Sequence, residues 1–335
     1  MKVYHLVGKQ QLALQEDPMP SVAPHDVLVK TRVSAMSVGT EVWRYINHGH
    51  YGGEGGLCGY NSLGEVVGVG AEVTRFKVGD LAFATHPHSE YFVWPESRTV
   101  KLPPNIDLEA AAFTYLPTLG LHGLRSADYQ AGDHVLVVGL GIVGLLAAMT
   151  AKVVGACVAA LDVDAARRKL AESLGFGPVF DPRAPTAAAQ LDNYFEQLGP
   201  DVILETSQAW SGLLDAMRLA RMATRLSIIG IYRSEPPSET AHEVLRQTFM
   251  SRDLFHNQRL KFIGCSNDPN DDYPVGVVRW TIQRNMAYIA SKITSGELDT
   301  RKIITHRFRW DELEQVYRWF VDGERSMVGV VLHWD

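Results

Sequence analysis

Three glycines, Gly139, Gly141 and Gly144, stand in G-x-G-x-x-G spacing inside the run VLVVGLGIVG at Val135–Gly144. They follow a short apolar run and open a stretch of helical composition, the context in which this spacing holds a dinucleotide. Gly139 permits a tight turn, Gly141 lets backbone approach a pyrophosphate, and Gly144 lets the helix pack close to a sheet. Ile142 and Val143 begin that helix, whose unpaired N–H groups and partial positive charge suit phosphate. Asp162 ends the next apolar run, VAALD, about 20 residues further on. A carboxylate there accepts hydrogen bonds from ribose hydroxyls and repels a 2′-phosphate, so NAD(H) is favoured over NADP(H). Two alternatives stand beside this. Asp162 could serve as a cap for the following helix, and Arg167 or Arg168 could hold a 2′-phosphate.

A second set of residues could bind metal. His48, His50, His86 and His88 form two H-x-H pairs, with Cys58 not far away. In a strand, residues i and i+2 face one side, so such a pair can chelate. The reading adopted is the plainer one: loop histidines beside glycine-rich turns, and no metal.

These residues need elements to position them. The first 115 residues or so read as a compact, mostly antiparallel β unit, with Asp26–Val33 alternating apolar and polar as a half-buried strand does. Leu63–Val69 and Tyr91–Val93 are further strands, punctuated by Gly and Pro. From about Leu119 short apolar runs alternate with helical stretches: Val135–Val138, then Ile142–Val154; Val158–Leu161, then Ala165–Leu174; then Val202–Leu204 and Leu226–Ile229. That alternation implies a parallel sheet with helices on both faces, an α/β doubly wound domain. After about Cys265 the expected elements are a helix over Val277–Ile293, a strand near Ile303–Phe308 and a helix over Asp311–Phe320. The simplest plan is two domains, residues 118–266 forming one and residues 1–117 with 267–335 forming the other.

Composition narrows the class. The chain has 335 residues, with Lys and Arg numbering 32 against 38 Asp and Glu, for a formal net charge of -6. No basic block favours nucleic acid or an anionic membrane. The apolar runs fall far short of the roughly 20 residues a membrane span needs, and MKVYHLVGKQ lacks the apolar core of a signal peptide. Three widely spaced cysteines, without a C-x-x-C pair, argue against a disulfide framework and fit a reducing cytoplasm.

At this point the chain resembles the medium-chain dehydrogenase/reductase superfamily, which includes zinc alcohol and polyol dehydrogenases. The likeness rests on Ser34–Glu41 (SAMSVGTE), Gly59–Gly70 (GYNSLGEVVGVG), Phe76–Asp80 (FKVGD), Pro117–Gly123 (PTLGLHG), the glycine segment and the ending DGERSMVGVVL. It implies a GroES-like β-rich catalytic domain, a Rossmann cofactor domain and a substrate cleft between them. It also implies a homodimer or tetramer, with dimers pairing edge strands near Leu260–Gly264. Thr118 and Gly230 fall where the family holds the nicotinamide half of its cofactor, and Thr206 is a further cofactor-binding candidate.

The departures carry as much weight as the match. Zinc members have Cys before Gly-Thr-Asp, where this chain has Val38 before Gly39, Thr40 and Glu41. They have Gly-His-Glu, where this chain has Gly59, Tyr60 and Asn61. Phe113–Leu116 (FTYL) supplies no further ligand, and three cysteines cannot build a four-cysteine structural lobe. Catalytic zinc needs about three N, S or carboxylate ligands, so the chain looks like a zinc-independent branch. Chemistry without zinc requires a side-chain donor for developing oxyanion charge. Tyr60 and Asn61 could donate to and orient a substrate oxygen. Thr40 matches the hydroxyl that begins a proton relay in related enzymes, although Trp43 stands where the relay histidine is found. His122 could act as general acid or base, and Trp43, Tyr45, Tyr51, Tyr60 and Trp94 are candidate cleft residues, each equally able to be core.

The leading expectation is NAD(H)-dependent interconversion of a secondary alcohol and a ketone on a sugar, cyclitol or natural-product intermediate. One alternative is a zinc-free NAD(P)H-dependent reductase of enoyl or quinone C=C bonds. Another is a non-catalytic NAD(H)-binding sensor.

Overall fold

The computed structural model describes residues 1–47, 56–233, 235, 238, 239, 242, 243, 246, 252–265 and 279–335. Along the chain come β1 (Lys2–Gly8), β2 (Gln11–Glu16), β3 (Asp26–Ala35), α1 (Val38–Ile46), β4 (Gly56–Leu57), β5 (Ser62–Val69), β6 (Leu81–Ala84), β7 (Tyr91–Pro95) and β8 (Val100–Leu102). Helices α2 (Leu108–Ala111) and α3 (Leu116–Ser126) follow. Then strands and helices alternate: β9 (His134–Val138), α4 (Ile142–Val153), β10 (Cys157–Leu161), α5 (Ala165–Leu174), β11 (Val179–Phe180), α6 (Ala187–Tyr194), β12 (Val202–Glu205), α7 (Trp210–Leu219), β13 (Arg225–Ile228) and β14 (Lys261–Gly264). The chain ends with a helix at Ile282–Thr294, β15 (Ile304–Arg309), a helix at Leu313–Val321 and β16 (Gly329–His333). It divides into two compact units, Met1–Leu116 with Asp268–Asp335, and Pro117–Asn267.

In the first unit, β3 is the spine of a mixed sheet ordered β15-β16-β3-β5-β6-β8, and it also pairs with β7. Its partners β5, β7 and β16 all run antiparallel to it. Val27, Val29, Thr31 and Val33 alternate inward and are buried, as the period-2 pattern requires. A separate apolar cluster joins Tyr4, Met36, Tyr45, Tyr317, Phe320 and Trp334. It packs α1 near the C-terminal helix, so the residues following β3 are anchored from below. Tyr45 therefore belongs to the core, its ring 4.9 Å from that of Tyr317, and does not line a cleft.

In the second unit, six parallel strands run in the order β11-β10-β9-β12-β13-β14. Val135, Leu136 and Val137 have no exposed surface, which explains their unbroken apolar run: strands covered on both faces have no polar side. The order reverses between β9 and β12, so a crevice opens at their carboxyl ends. Edge strand β14 covers most of Leu260–Gly264.

Two expected elements need correction. The helix sought over Val277–Ile293 begins at Ile282, because the Thr281 hydroxyl accepts the Arg284 N–H and caps it there; Val277 and Val278 lie outside the described residues. The helix sought over Asp311–Phe320 is a 3₁₀ turn, Trp310–Glu312, followed by Leu313–Val321. Among the described residues no helix is long and apolar enough to cross a membrane.

Candidate active site

In the second unit, the glycine loop joins β9 to α4. Gly139 has a positive φ of 91°, open only to glycine at little cost, and a Cβ there would press on Ser207. A Cβ on Gly144 would collide with the Gly139 carbonyl, whereas one on Gly141 would meet nothing within 4 Å. Gly141 is also the N-cap of α4 and supplies no capping side chain. The first turn of α4, with Ile142 and Val143, therefore keeps its N–H groups for a ligand. The Thr206 hydroxyl donates to the carbonyls of Val138 and Gly139, at 3.1 and 2.8 Å, and so braces the loop.

Asp162 lies at the end of β10 with both carboxylate oxygens engaged. One accepts the Leu140 N–H at 2.6 Å, the other the Asp164 N–H at 2.7 Å. A carboxylate offers about four lone-pair directions, so two remain for ribose hydroxyls. The cap of α5 is Asp164, which accepts the Arg167 N–H, and not Asp162. Arg167 reaches within 3.9 Å of the Asp162 carboxylate, and Arg168 pairs with Asp181 at 3.2 Å. The glycine loop, the open first turn of α4 and the Asp162 carboxylate are chemically suited to a dinucleotide. Thr118 is buried on the first turn of α3. Gly230, after β13, donates its N–H to the Glu205 carbonyl at 2.9 Å. His122, half-buried on α3, has its Nε2 3.4 Å from Ser126 Oγ.

In the first unit, the turn between β3 and α1 brings hydroxyls together. Ser37, 2% exposed, is the N-cap of α1. The Tyr60 hydroxyl donates to Ser37 Oγ, and Thr40 lies on the first turn beside them. Burial pushes the Tyr60 phenol above its ordinary range, against smaller opposing effects of Ser37 and Thr40. The phenol is therefore a donor at neutral pH. The Tyr115 ring stands edge-on to Tyr60, at 5.7 Å. Asn61, wholly buried, donates through Nδ2 to the Ala35 carbonyl at 3.3 Å, while its Oδ1 has no partner. Trp43 is half-buried on α1, and Tyr51 lies outside the described residues.

A second layer beneath this turn was not foreseen. Glu41 and His88 form a buried pair, Nε2 to Oε2 at 3.0 Å, with side chains at most 1% exposed. Glu41 also accepts the Ser37 N–H at 2.6 Å and the Tyr317 hydroxyl at 2.7 Å. Burial alone would raise the Glu41 carboxyl, but His88, Ser37 and Tyr317 outweigh it and hold the group below the usual range. His88 Nδ1 lies 2.9 Å from Ser34 Oγ, which accepts from Trp334 Nε1 at 2.9 Å. Both ring nitrogens are thus engaged, Nε2 with Glu41 and Nδ1 with the Ser34 hydroxyl. His86 stacks on Phe92 at 5.0 Å, and burial lowers its pKa to about 4. His48 and His50 lie outside the described residues. Sequence patterns hid this layer because its members are far apart in the chain: Glu41, His88 and Tyr317.

Comparison with known proteins places this architecture. Residues 143–281 match the family model described as zinc-binding dehydrogenase. A probable D-xylulose reductase A of Aspergillus clavatus is 30% identical over 244 residues, 61% of this chain and 68% of that protein. This chain belongs to the zinc-binding dehydrogenase family of the medium-chain dehydrogenase/reductase superfamily. It is a dehydrogenase/reductase of that type. An L-threonine 3-dehydrogenase of Symbiobacterium thermophilum is 29% identical, covering 65% of this chain and 71% of that one. The fold matches galactitol-1-phosphate dehydrogenase of Escherichia coli with a TM-score of 0.81 at 21% identity, over 99% of this chain and 100% of that one.

The residues at the family's metal positions do not fit zinc. Val38 has no donor atom. Tyr60 directs its proton to Ser37, and Asn61 offers one neutral oxygen. Glu41 and His88 satisfy each other. Among the described residues no group of three His, Cys, Asp or Glu side chains could hold a metal ion.

Proposed function

We propose that this family member is a zinc-independent, NAD(H)-dependent oxidoreductase that interconverts a secondary alcohol and a ketone on a sugar, cyclitol or natural-product intermediate. The observation that carries this reading is the Tyr60–Ser37 hydroxyl pair at the turn where zinc relatives place their ligands. The activities by which the relatives are named, on xylulose, threonine and galactitol 1-phosphate, support an alcohol or ketone substrate. A bound nicotinamide supplies or accepts the hydride. The Tyr60 hydroxyl, kept protonated by burial, donates a hydrogen bond to the substrate oxygen, as zinc would polarise it elsewhere. Ser37 and Thr40 fix the phenol's direction. Asp162 holds the adenosine ribose, and its charge favours NAD(H). Exposed edge strand β14 suits pairing with a second copy as a homodimer, and three free cysteines suit a reducing cytoplasm.

The test is turnover by metal-stripped protein, followed as nicotinamide absorbance, with polyols, cyclitols and ketones. Tyr60→Phe is expected to lower kcat about 10²- to 10³-fold, the usual loss of one oxyanion donor, with cofactor binding unchanged. Activity that returns only with added zinc would overturn the reading. Turnover of enones and quinones alone would replace it with C=C reduction.

A further inference from the structure

Glu205 is an ionisable side chain with no exposed surface, at the carboxyl end of β12. It sits beside the crevice between β9 and β12, where the strand order reverses. Its Oε1 accepts the Ser207 N–H at 2.7 Å and the Ser207 hydroxyl. Ser207 in turn packs against Gly139 of the dinucleotide loop. Its other oxygen, Oε2, has no partner, and a Cβ on Gly230 would lie 2.8 Å from it. The buried Tyr232 hydroxyl lies beside the same carboxyl. Its ring lies 4.4 Å from that of Trp210.

The layout of the sheet says what lies above. Adenosine belongs to the β10 side, by Asp162, and pyrophosphate to the start of α4. The nicotinamide half then falls on the other side of the crevice, over the ends of β12 and β13. There it meets Glu205 across a residue that has no side chain, Gly230. The ring is positively charged when oxidised and neutral when reduced. In a buried setting a carboxylate distinguishes those two states strongly.

We propose that Glu205 senses the charge of the nicotinamide: it ionises when the oxidised ring is bound and takes up a proton when the reduced ring is bound. The proposal rests on the reading that this unit binds a nicotinamide dinucleotide, and on no zinc or substrate assignment. The groups facing the carboxyl are Ser207 from the strand end, Tyr232 beyond β13, and the backbone of Gly230 and of Gly212 on α7. Of these only Tyr232 titrates, and burial pushes its phenol far up. Burial also raises the Glu205 carboxyl above the ordinary range, against Ser207 and Tyr232, so its titration moves toward neutral pH. Glu205 touches no reacting atom and acts as a positioning residue for charge.

The experiment measures dissociation constants of NAD+ and NADH for the full chain, by fluorescence titration, from about pH 5 to about pH 8. NAD+ is expected to tighten relative to NADH as pH rises, on the order of tenfold across the range. Calorimetry in buffers of different ionisation enthalpy should show a proton released when NAD+ binds. In Glu205→Gln the ratio should stay flat. Tyr232→Phe, which leaves the carboxyl in place, should move the midpoint upward, because it removes a polar group beside the carboxylate. An unchanged pH dependence in Glu205→Gln, or a flat ratio in the wild type, would overturn the proposal. Absence of binding by either dinucleotide would instead overturn the cofactor reading beneath it.

Discussion

Replacing Tyr317 by Phe isolates one hydroxyl in the layer beneath Tyr60. The ring keeps its place against Tyr45, 4.9 Å away, so little packing is lost. What disappears is the 2.7 Å hydrogen bond to Glu41 Oε2. The carboxylate then retains the Ser37 N–H and His88, having lost one donor of three. A hydrogen bond to a charged group contributes about 1.5–3 kcal/mol. The Glu41 side chain is 1% exposed, so solvent screening gives no reason to discount that figure. Tyr317→Phe should therefore cost about 2 kcal/mol near pH 7, measured by urea unfolding with tryptophan fluorescence. The pH dependence separates this from a packing defect. The folded-state pKa of Glu41 is depressed below 4.5, so its stabilising contribution is present above that value and fades as pH falls through the folded pKa. The variant raises that folded pKa, so the gap between wild type and variant should narrow on acidification. A cost below about 0.5 kcal/mol at pH 7, or a gap that stays constant into acid, would refute a charged Glu41 held by three donors.

Three further outcomes follow from the geometry. Gly141→Val should weaken dinucleotide binding at least about tenfold while leaving the melting temperature unchanged, whereas Gly144→Ala should lower it, because only the second side chain meets the protein itself. Asp162→Ala should weaken NAD(H) by about 1–3 kcal/mol and narrow its advantage over NADP(H), which titrations with both cofactors would reveal. Burial pushes the Cys58 thiol to about 12, so native protein should resist iodoacetamide at that site near neutral pH and react there once unfolded, as peptide mass mapping would show.

Some parts of this molecule are legible in its sequence and others are not, for physical reasons. The parallel sheet was legible because buried strands leave unbroken apolar runs, and Ala165–Leu174 was legible because Asp164 and Gly175 bound it as cap and left-handed terminator. The glycine loop was legible because its spacing reports backbone approach. Helix α1 was not, since its nine residues look like the continuation of a β-rich region. The start of the helix at Ile282 depended on the Thr281 hydroxyl, a contact no periodicity encodes. Tyr45 carried an aromatic signal that suits cleft and core alike, and only packing on Tyr317 decides between them.

The buried layer explains how an acid is tolerated at Glu41 with almost no exposed surface. An ionised carboxylate in the interior is costly unless it is fully hydrogen-bonded. Here His88, from the loop before β7, and Tyr317, from the C-terminal helix, meet it from distant parts of the chain. Each takes a share of the charge, and the Ser37 N–H takes a third. That last bond fixes the first turn of α1, the same turn whose Ser37 hydroxyl receives the Tyr60 proton. The carboxylate thus acts on Tyr60 through the backbone of Ser37. Loss of His88 would take one of three donors from Glu41, at a cost of about 1.5–3 kcal/mol, and would loosen the hydroxyl pair above it. Orientation of Tyr60 and stability of the β-rich unit are therefore properties of one network, and a substitution in it should disturb both together.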